Sequence, residues 1–176
     1  MIETERLILR KWRSADKRRL GEIFMIEYRI ATKDDIDLLM NSRLEMLKVV
    51  NNLSDDYEFS EELVSCSREY FLNGDQTTVL ALDEDMVIGC ASMSYMWIMP
   101  TYSHPTGKRA HLMNVYTNSN YRRQGIARKM VSMLIDDARD NGATEISLDA
   151  TALGRPLYES LGFGSNPDCM NLIRNA

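Results

Sequence analysis

The sequence predicts an α/β domain, and three stretches carry that prediction. In the first, a strand-like run over 111–116 passes through Arg122-Arg123-Gln124-Gly125-Ile126-Ala127 into a segment of helical periodicity. There Ile126, Met130, Val131, Leu134, Ile135 and Ala138 recur on one face. In the second, apolar runs over 77–82 and 87–94 flank Asp83-Glu84-Asp85, the pattern of an antiparallel hairpin. In the third, Thr32 is placed to cap a helix whose face is Ile36, Leu39, Met40, Leu44 and Leu47, with Asp34 and Asp35 in its first turn.

Composition narrows the class. With 176 residues the chain is long enough for one domain with a proper core and short of two. A net charge of −5 argues against a nucleic-acid partner held by a basic surface, and mildly favours an amine-bearing one. Cys66, Cys90 and Cys169 lack metal-type spacing and read as reduced thiols. Two histidines, His104 and His111, argue against a histidine-based metal site. Neither a signal peptide nor an apolar run of transmembrane length is read, so the expected setting is cytoplasmic, without a membrane partner. The 12 methionines suit irregular packing in core and pocket.

The N-terminus reads twice as a strand leading into a helix start. Leu7-Ile8-Leu9-Arg10 precedes Ser14-Ala15-Asp16, and Tyr28-Arg29-Ile30-Ala31 precedes Lys33-Asp34-Asp35, so that Arg10 aligns with Arg29 and Asp16 with Asp35. One domain needs one such start. Residues 25–176 are therefore taken as the main domain and 1–24 as an N-terminal extension with three open readings. It is an extra strand and helix, a remnant of an upstream domain, or a start assigned too early, with Met25 as the true one.

The first helix breaks at Asn51-Asn52. A second is expected over 60–72, with Leu63, Val64, Tyr70 and Phe71 apolar and Asn73-Gly74 closing it. Asp55, Asp56, Glu58, Glu61 and Glu62 make the junction acidic: either a solvated helix start or a surface that draws a cationic amine. Beyond the hairpin, 95–99 is bulky and apolar, and 100–108, with two prolines and a glycine, is a loop. The helix after Gly125 closes at Asn141-Gly142, and 145–150 reads as a strand. Leu153, Leu157 and Leu161 then share one face of a short helix with Pro156 in its first turn and Gly162 at its end. After a turn over 164–168, residues 169–173 are expected to return as a last strand.

The loop before the long helix has a specific chemistry. The first backbone N–H groups of a helix lack intrahelical partners and lie at the positive end of its dipole. Gly125 permits close approach, Ala127 keeps the next turn slim, and Arg122 and Arg123 add charge. Together these suit a phosphate or pyrophosphate, although a glycine between strand and helix is also an ordinary turn. Neither Walker-type nor dinucleotide glycine spacing is present.

Arg122, Gly125 and Ala127 fill the fixed positions of a loop that resembles the Q/R-x-x-G-x-G/A pyrophosphate loop of the GNAT superfamily of N-acetyltransferases. Some thirty residues on, Leu157-Tyr158-Glu159-Ser160-Leu161-Gly162-Phe163 resembles the second signature of that family. The resemblance spans residues 25–173. It implies a mixed central sheet of about six or seven strands flanked by about four helices. It also implies acetyl-CoA as acyl donor, held along Asn114, Val115, Tyr116 and Thr117 of the fourth strand and by Arg122, Arg123, Gln124, Gly125, Ile126 and Ala127. The fourth and fifth strands would be parallel and splay around it. Thr151 falls where many relatives carry a CoA-contacting Asn, and Gly154 where they often carry Ala.

The same resemblance assigns Tyr158 as general acid to the departing thiolate and a backbone N–H near Val115 as the group that polarises the thioester carbonyl. A small-molecule amine or peptide amine would lie against the first two helices, bordered by the loop over 100–108. No covalent acyl-enzyme and no metal are implied. The general base stays open between a water relay and a carboxylate. Asp149 is the best-placed acid by topology, and His111 and Tyr116 are weaker candidates. A non-catalytic acyl-CoA-binding module is the alternative reading, and a homodimer through C-terminal strands or sheet edges stays open.

Overall fold

The computed structural model describes residues 25–167, 169 and 170. Its elements in chain order are β1 (Glu27–Ile30), α1 (Ile36–Val50), α2 (Glu61–Asn73), β2 (Gln76–Asp83), β3 (Met86–Trp97), β4 (Lys108–Thr117), α3 (Ile126–Asp140), β5 (Glu145–Leu148) and α4 (Arg155–Glu159). Single 3-10 turns at Lys33–Asp35 and Ser119–Tyr121 precede α1 and α3. The strands form one sheet in the order β1-β2-β3-β4-β5, antiparallel except for the parallel pair β4-β5. A hairpin needs only Glu84 and Asp85 to join β2 to β3. The parallel pair needs a crossover, and α3 supplies it.

Alternation along the strands sends side chains to two different layers. Val79 and Ala81 of β2 face α3, whereas Leu80 and Leu82 face α1 and α2. The α3 layer is dry: Ile126, Met130, Val131, Leu134, Ile135 and Ala138 are all buried against Ile88, Ala91, Met93, Ala110 and Leu112. Each large apolar side chain so buried contributes roughly 1.5–3 kcal/mol relative to exposure. On the other face Leu39, Met40 and Met46 of α1, with Phe71 of α2, cover Leu80, Leu82, Cys90 and Tyr116.

The start of α1 is fixed by charge. Arg29 on β1 donates both guanidinium nitrogens to Asp35 at 2.7 Å, and the Thr32 amide donates to the same carboxylate at 2.8 Å. The Arg29–Asp35 spacing is thus a strand-to-helix clasp. The matching pair Arg10–Asp16 and the whole extension over 1–24 lie outside the described residues.

β4 carries a bulge that decides what faces the second layer. Cys90 pairs with Tyr116 and Ser92 with Met113, so Asn114 and Val115 together oppose Ala91. Asn114 takes a left-handed φ of 56°, a conformation that Asn accepts better than most residues. The extra residue reverses the alternation. Ala110 and Leu112 face α3, while Tyr116, an even number of residues further on, joins the α1 layer.

The sheet has five strands among the described residues, fewer than the six or seven expected. Cys169 and Met170 are not in a strand, and the rest of the expected return strand, like the expected strand over 7–10, falls outside the described residues.

Candidate active site

The pairing of β5 with β4 stops at Leu112↔Leu148, yet β4 continues to Thr117. Beyond that point the β5-side edge of β4 has no strand partner among the described residues, and its backbone groups face an open cleft. The side chains of this stretch mostly point elsewhere. Asn114 accepts from Arg43 Nη1 at 3.4 Å, and the Tyr116 hydroxyl donates to Glu45 of α1. Burial and the Glu45 carboxylate hold the Tyr116 phenol protonated. Val115 packs with the α3 layer, and the Thr117 hydroxyl is buried without a hydrogen-bond partner among the described residues. What residues 114–117 present to the cleft is therefore backbone.

The loop of residues 122–125 lies at the same, carboxyl end of β4. Arg123 and Gly125 both have left-handed φ, 64° and 81°, and Arg122 Nε donates to the Thr117 carbonyl at 3.2 Å. The first amide accepted by Gly125 is that of Lys129, at 3.0 Å, so the preceding turn's N–H groups are free to take an anion. A side chain added at Gly125 would meet no atom within 4 Å. The φ favours glycine there, and open space lies beside it. Arg122, Arg123 and Gln124 are exposed, Ala127 is half-buried, and Ile126 is buried and anchors the turn.

On the other side of the cleft, α4 follows β5. Arg128 of α3 donates to Ser160 Oγ at 2.5 Å and ties the end of α4 to the loop side. Tyr158 is half-buried, packs against the α3 layer, and meets Phe163 edge-on at 6.1 Å. Its hydroxyl has no protein hydrogen-bond partner among the described residues, and burial raises its pKa, so it stays protonated at neutral pH. Gly154 is explained by this ring: a Cβ there would sit 3.0 Å from Tyr158 Cε2. Thr151 is exposed and caps α4, its carbonyl accepting from Gly154 and Arg155 at 3.1 and 3.0 Å.

Asp149 lies just past β5 with its side chain 96% exposed, its Oδ2 3.7 Å from His111 Nε2. The other ring nitrogen of His111 is 2.9 Å from Ser147 Oγ. His104 belongs to the opposite end of the strands. It contacts Glu145 at 3.2 Å and the Thr144 carbonyl at 3.2 Å, and its loop contributes nothing to the pocket described next, which that loop was expected to border.

Between α1, α2, β3 and β4 is a pocket of about 220 Å³, walled by Leu63, Tyr70, Phe71 and Met113, with Ser92, Asn114 and Arg43 as its main polar members. Arg43 escaped the sequence reading. Its signal was present, because Arg43 sits four residues after Leu39 and three before Met46, inside the buried stripe of α1. The acidic stretch over 55–62 behaves as a solvated helix start: Ser60 accepts from the Leu63 amide at 3.3 Å, with Glu61 and Glu62 in the first turn. Cys90 is buried and its thiol is pushed up to about 12, so it stays protonated and is no nucleophile at neutral pH.

The 122–125 loop and α4, which carries Tyr158, follow the carboxyl ends of the parallel strands β4 and β5, where α/β sheets commonly take their ligands. The model of the acetyltransferase (GNAT) family matches residues 44–163, and the chain belongs to that family. It is 39% identical over 59 residues to human N-acetyltransferase 8, covering 32% of this chain and 26% of that protein. It is 27% identical over 86 residues to glucosamine 6-phosphate N-acetyltransferase of Trypanosoma brucei brucei, covering 49% of this chain and 56% of that one. The chain thus matches well under two thirds of either relative. Among solved structures, a predicted acetyltransferase from Clostridium acetobutylicum with acetyl-CoA superposes with a TM-score of 0.75 at 28% identity, over 85% of this chain and 96% of that one.

Proposed function

We propose that the chain is an acetyl-CoA-dependent N-acetyltransferase of the cytoplasm, with residues 25–176 as its catalytic unit, acting on a primary amine of a small molecule or an exposed peptide amine. One observation carries the reading. The unpaired edge of β4, the Gly125 loop and α4 with Tyr158 all lie at the carboxyl ends of β4 and β5. The residues fit the cosubstrate: exposed guanidinium groups and free N–H groups suit a pyrophosphate, and an unpaired strand edge suits an amide-bearing arm. When bound, that cosubstrate supplies an activated acetyl carbonyl.

The chain's own groups then have separate tasks. Backbone N–H of the bulge, near Val115, donates to the carbonyl oxygen as negative charge builds there. Tyr158, protonated and without a hydrogen-bond partner among the described residues, donates to the departing sulfur. His111, oriented by Asp149 and Ser147 on the Met113 side of β4, takes the proton from the amine, directly or through water. The cysteines take no part. A module that merely bound acyl-CoA would have no use for a half-buried phenol with an unengaged hydroxyl, which favours turnover over sensing.

Release of free CoA thiol across a panel of amines tests the reading. Turnover by the wild type, with most of it lost in Tyr158→Phe at unchanged CoA affinity, is expected. Tight acetyl-CoA binding without turnover on any amine would favour the sensor.

A further inference from the structure

We infer that the pocket beside the bulge is built for an amine that also carries a carboxylate and an apolar body, such as a free α-amino acid with a hydrophobic side chain. The inference rests on the acetyltransferase reading and names its acceptor. Arg43 is the evidence. Its guanidinium lines the pocket, and burial destabilises its charge enough to lower its pKa. No carboxylate among the described residues forms an ion pair with it. Its one hydrogen bond among the described residues, to Asn114 Oδ1, is long at 3.4 Å and to a neutral group. A partly desolvated guanidinium with donors to spare is a receptor for a planar anion.

The rest of the pocket selects the body attached to that anion. Leu63, Phe71, Met113 and the face of Tyr70 form an apolar wall. Two of the three hydroxyls at hand are already engaged, Ser92 with Thr78 at 2.7 Å and Tyr70 with Ser94, which leaves Ser67. A hydroxyl-rich sugar would leave most of its own groups unpaired there, at a cost. A polyamine or aminoglycoside would place further positive charge against Arg43, which is unfavourable. A hydrophobic amino acid satisfies both walls.

The test uses the full chain with acetyl-CoA and compares leucine and phenylalanine with leucinamide, glucosamine 6-phosphate and spermidine, reading both CoA release and acceptor binding by calorimetry in the presence of CoA. Leucine or phenylalanine is expected as the best acceptor, with leucinamide about ten- to a hundred-fold weaker in kcat/KM, the worth of one charge-assisted contact. Arg43→Gln is expected to raise KM for leucine by that factor, to leave KM for acetyl-CoA unchanged, and to erase the preference of leucine over leucinamide. Arg43→Lys restores part of it. A merely structural role would instead lower thermal stability and shift both KM values together, which would overturn the inference. So would preferred turnover of glucosamine 6-phosphate or spermidine, although the acetyltransferase reading would then stand. Binding of leucine without turnover of any amine would uphold the pocket and sink the acetyltransferase. Absence of both binding and turnover would sink both.

Discussion

The two faces of the sheet are built on opposite terms. Against α3 the layer is apolar and closed, with six helix residues on one stripe and β-strand partners that are nearly all fully buried. Against α1 and α2 the layer admits polar groups: Arg43, Asn114, Ser92, and the hydroxyls of Tyr70 and Tyr116, arranged around a pocket. The first face holds the sheet together and the second leaves a pocket. The bulge at Asn114 adds to the difference by turning the end of β4 toward α1.

The largest expected effect separates chemistry from packing. Tyr158→Phe removes one hydroxyl and leaves the ring on Phe163, so turnover should fall by about 10²–10⁴-fold, the usual worth of a positioned proton donor, with the melting temperature almost unchanged. Steady-state kinetics and a thermal melt on the same variant would check this. Undiminished turnover would take Tyr158 out of the mechanism.

Next comes the dry face. Leu134→Ala, at a fully buried position of α3, should cost about 2–5 kcal/mol in urea unfolding while KM for the acceptor stays put. A comparable loss on the pocket face without any change in KM would erase the contrast between the faces.

A smaller effect belongs to the loop. Gly125→Ala forces a side chain into a φ of 81°, which costs about 1–2 kcal/mol. It also intrudes on the empty space at the helix start. Acetyl-CoA affinity should fall while binding of the amine acceptor is spared; equal loss of both would mean that the loop is only a turn.

The smallest is the pH response of the clasp at the start of α1. Hydrogen bonds from Arg29 and Thr32 hold the Asp35 carboxyl well below the usual carboxylate range. A depressed folded-state pKa stabilises the fold above the unfolded value of about 3.9 and loses that contribution as pH falls below it. Melts between neutral and acidic pH should therefore show a steeper decline in the wild type than in Asp35→Asn.

Much of this was legible in the sequence, for identifiable reasons. The α3 stripe was read residue for residue, because helical periodicity reports a one-sided burial directly. The turn at Gly125 and the short helix carrying Tyr158 were readable because short motifs fixed them beside strand ends. The bulge was not, since Asn114 looks like any polar residue in a strand and its φ is set by pairing with β3. The place of Arg43 in the buried stripe of α1 was legible, but its contact with Asn114, 71 residues away in sequence, was not. Asp149 was placed by topology, but its exposure and its contact with His111 are tertiary facts.

The most direct test of the central claim is a calorimetric titration of acetyl-CoA into the full chain, with folding verified by circular dichroism. The account predicts saturable binding in the low-micromolar to submillimolar range, weakened in the Gly125→Ala variant. A folded chain that takes up no acetyl-CoA would contradict it, and residues 122–127 would be an ordinary turn between a strand and a helix.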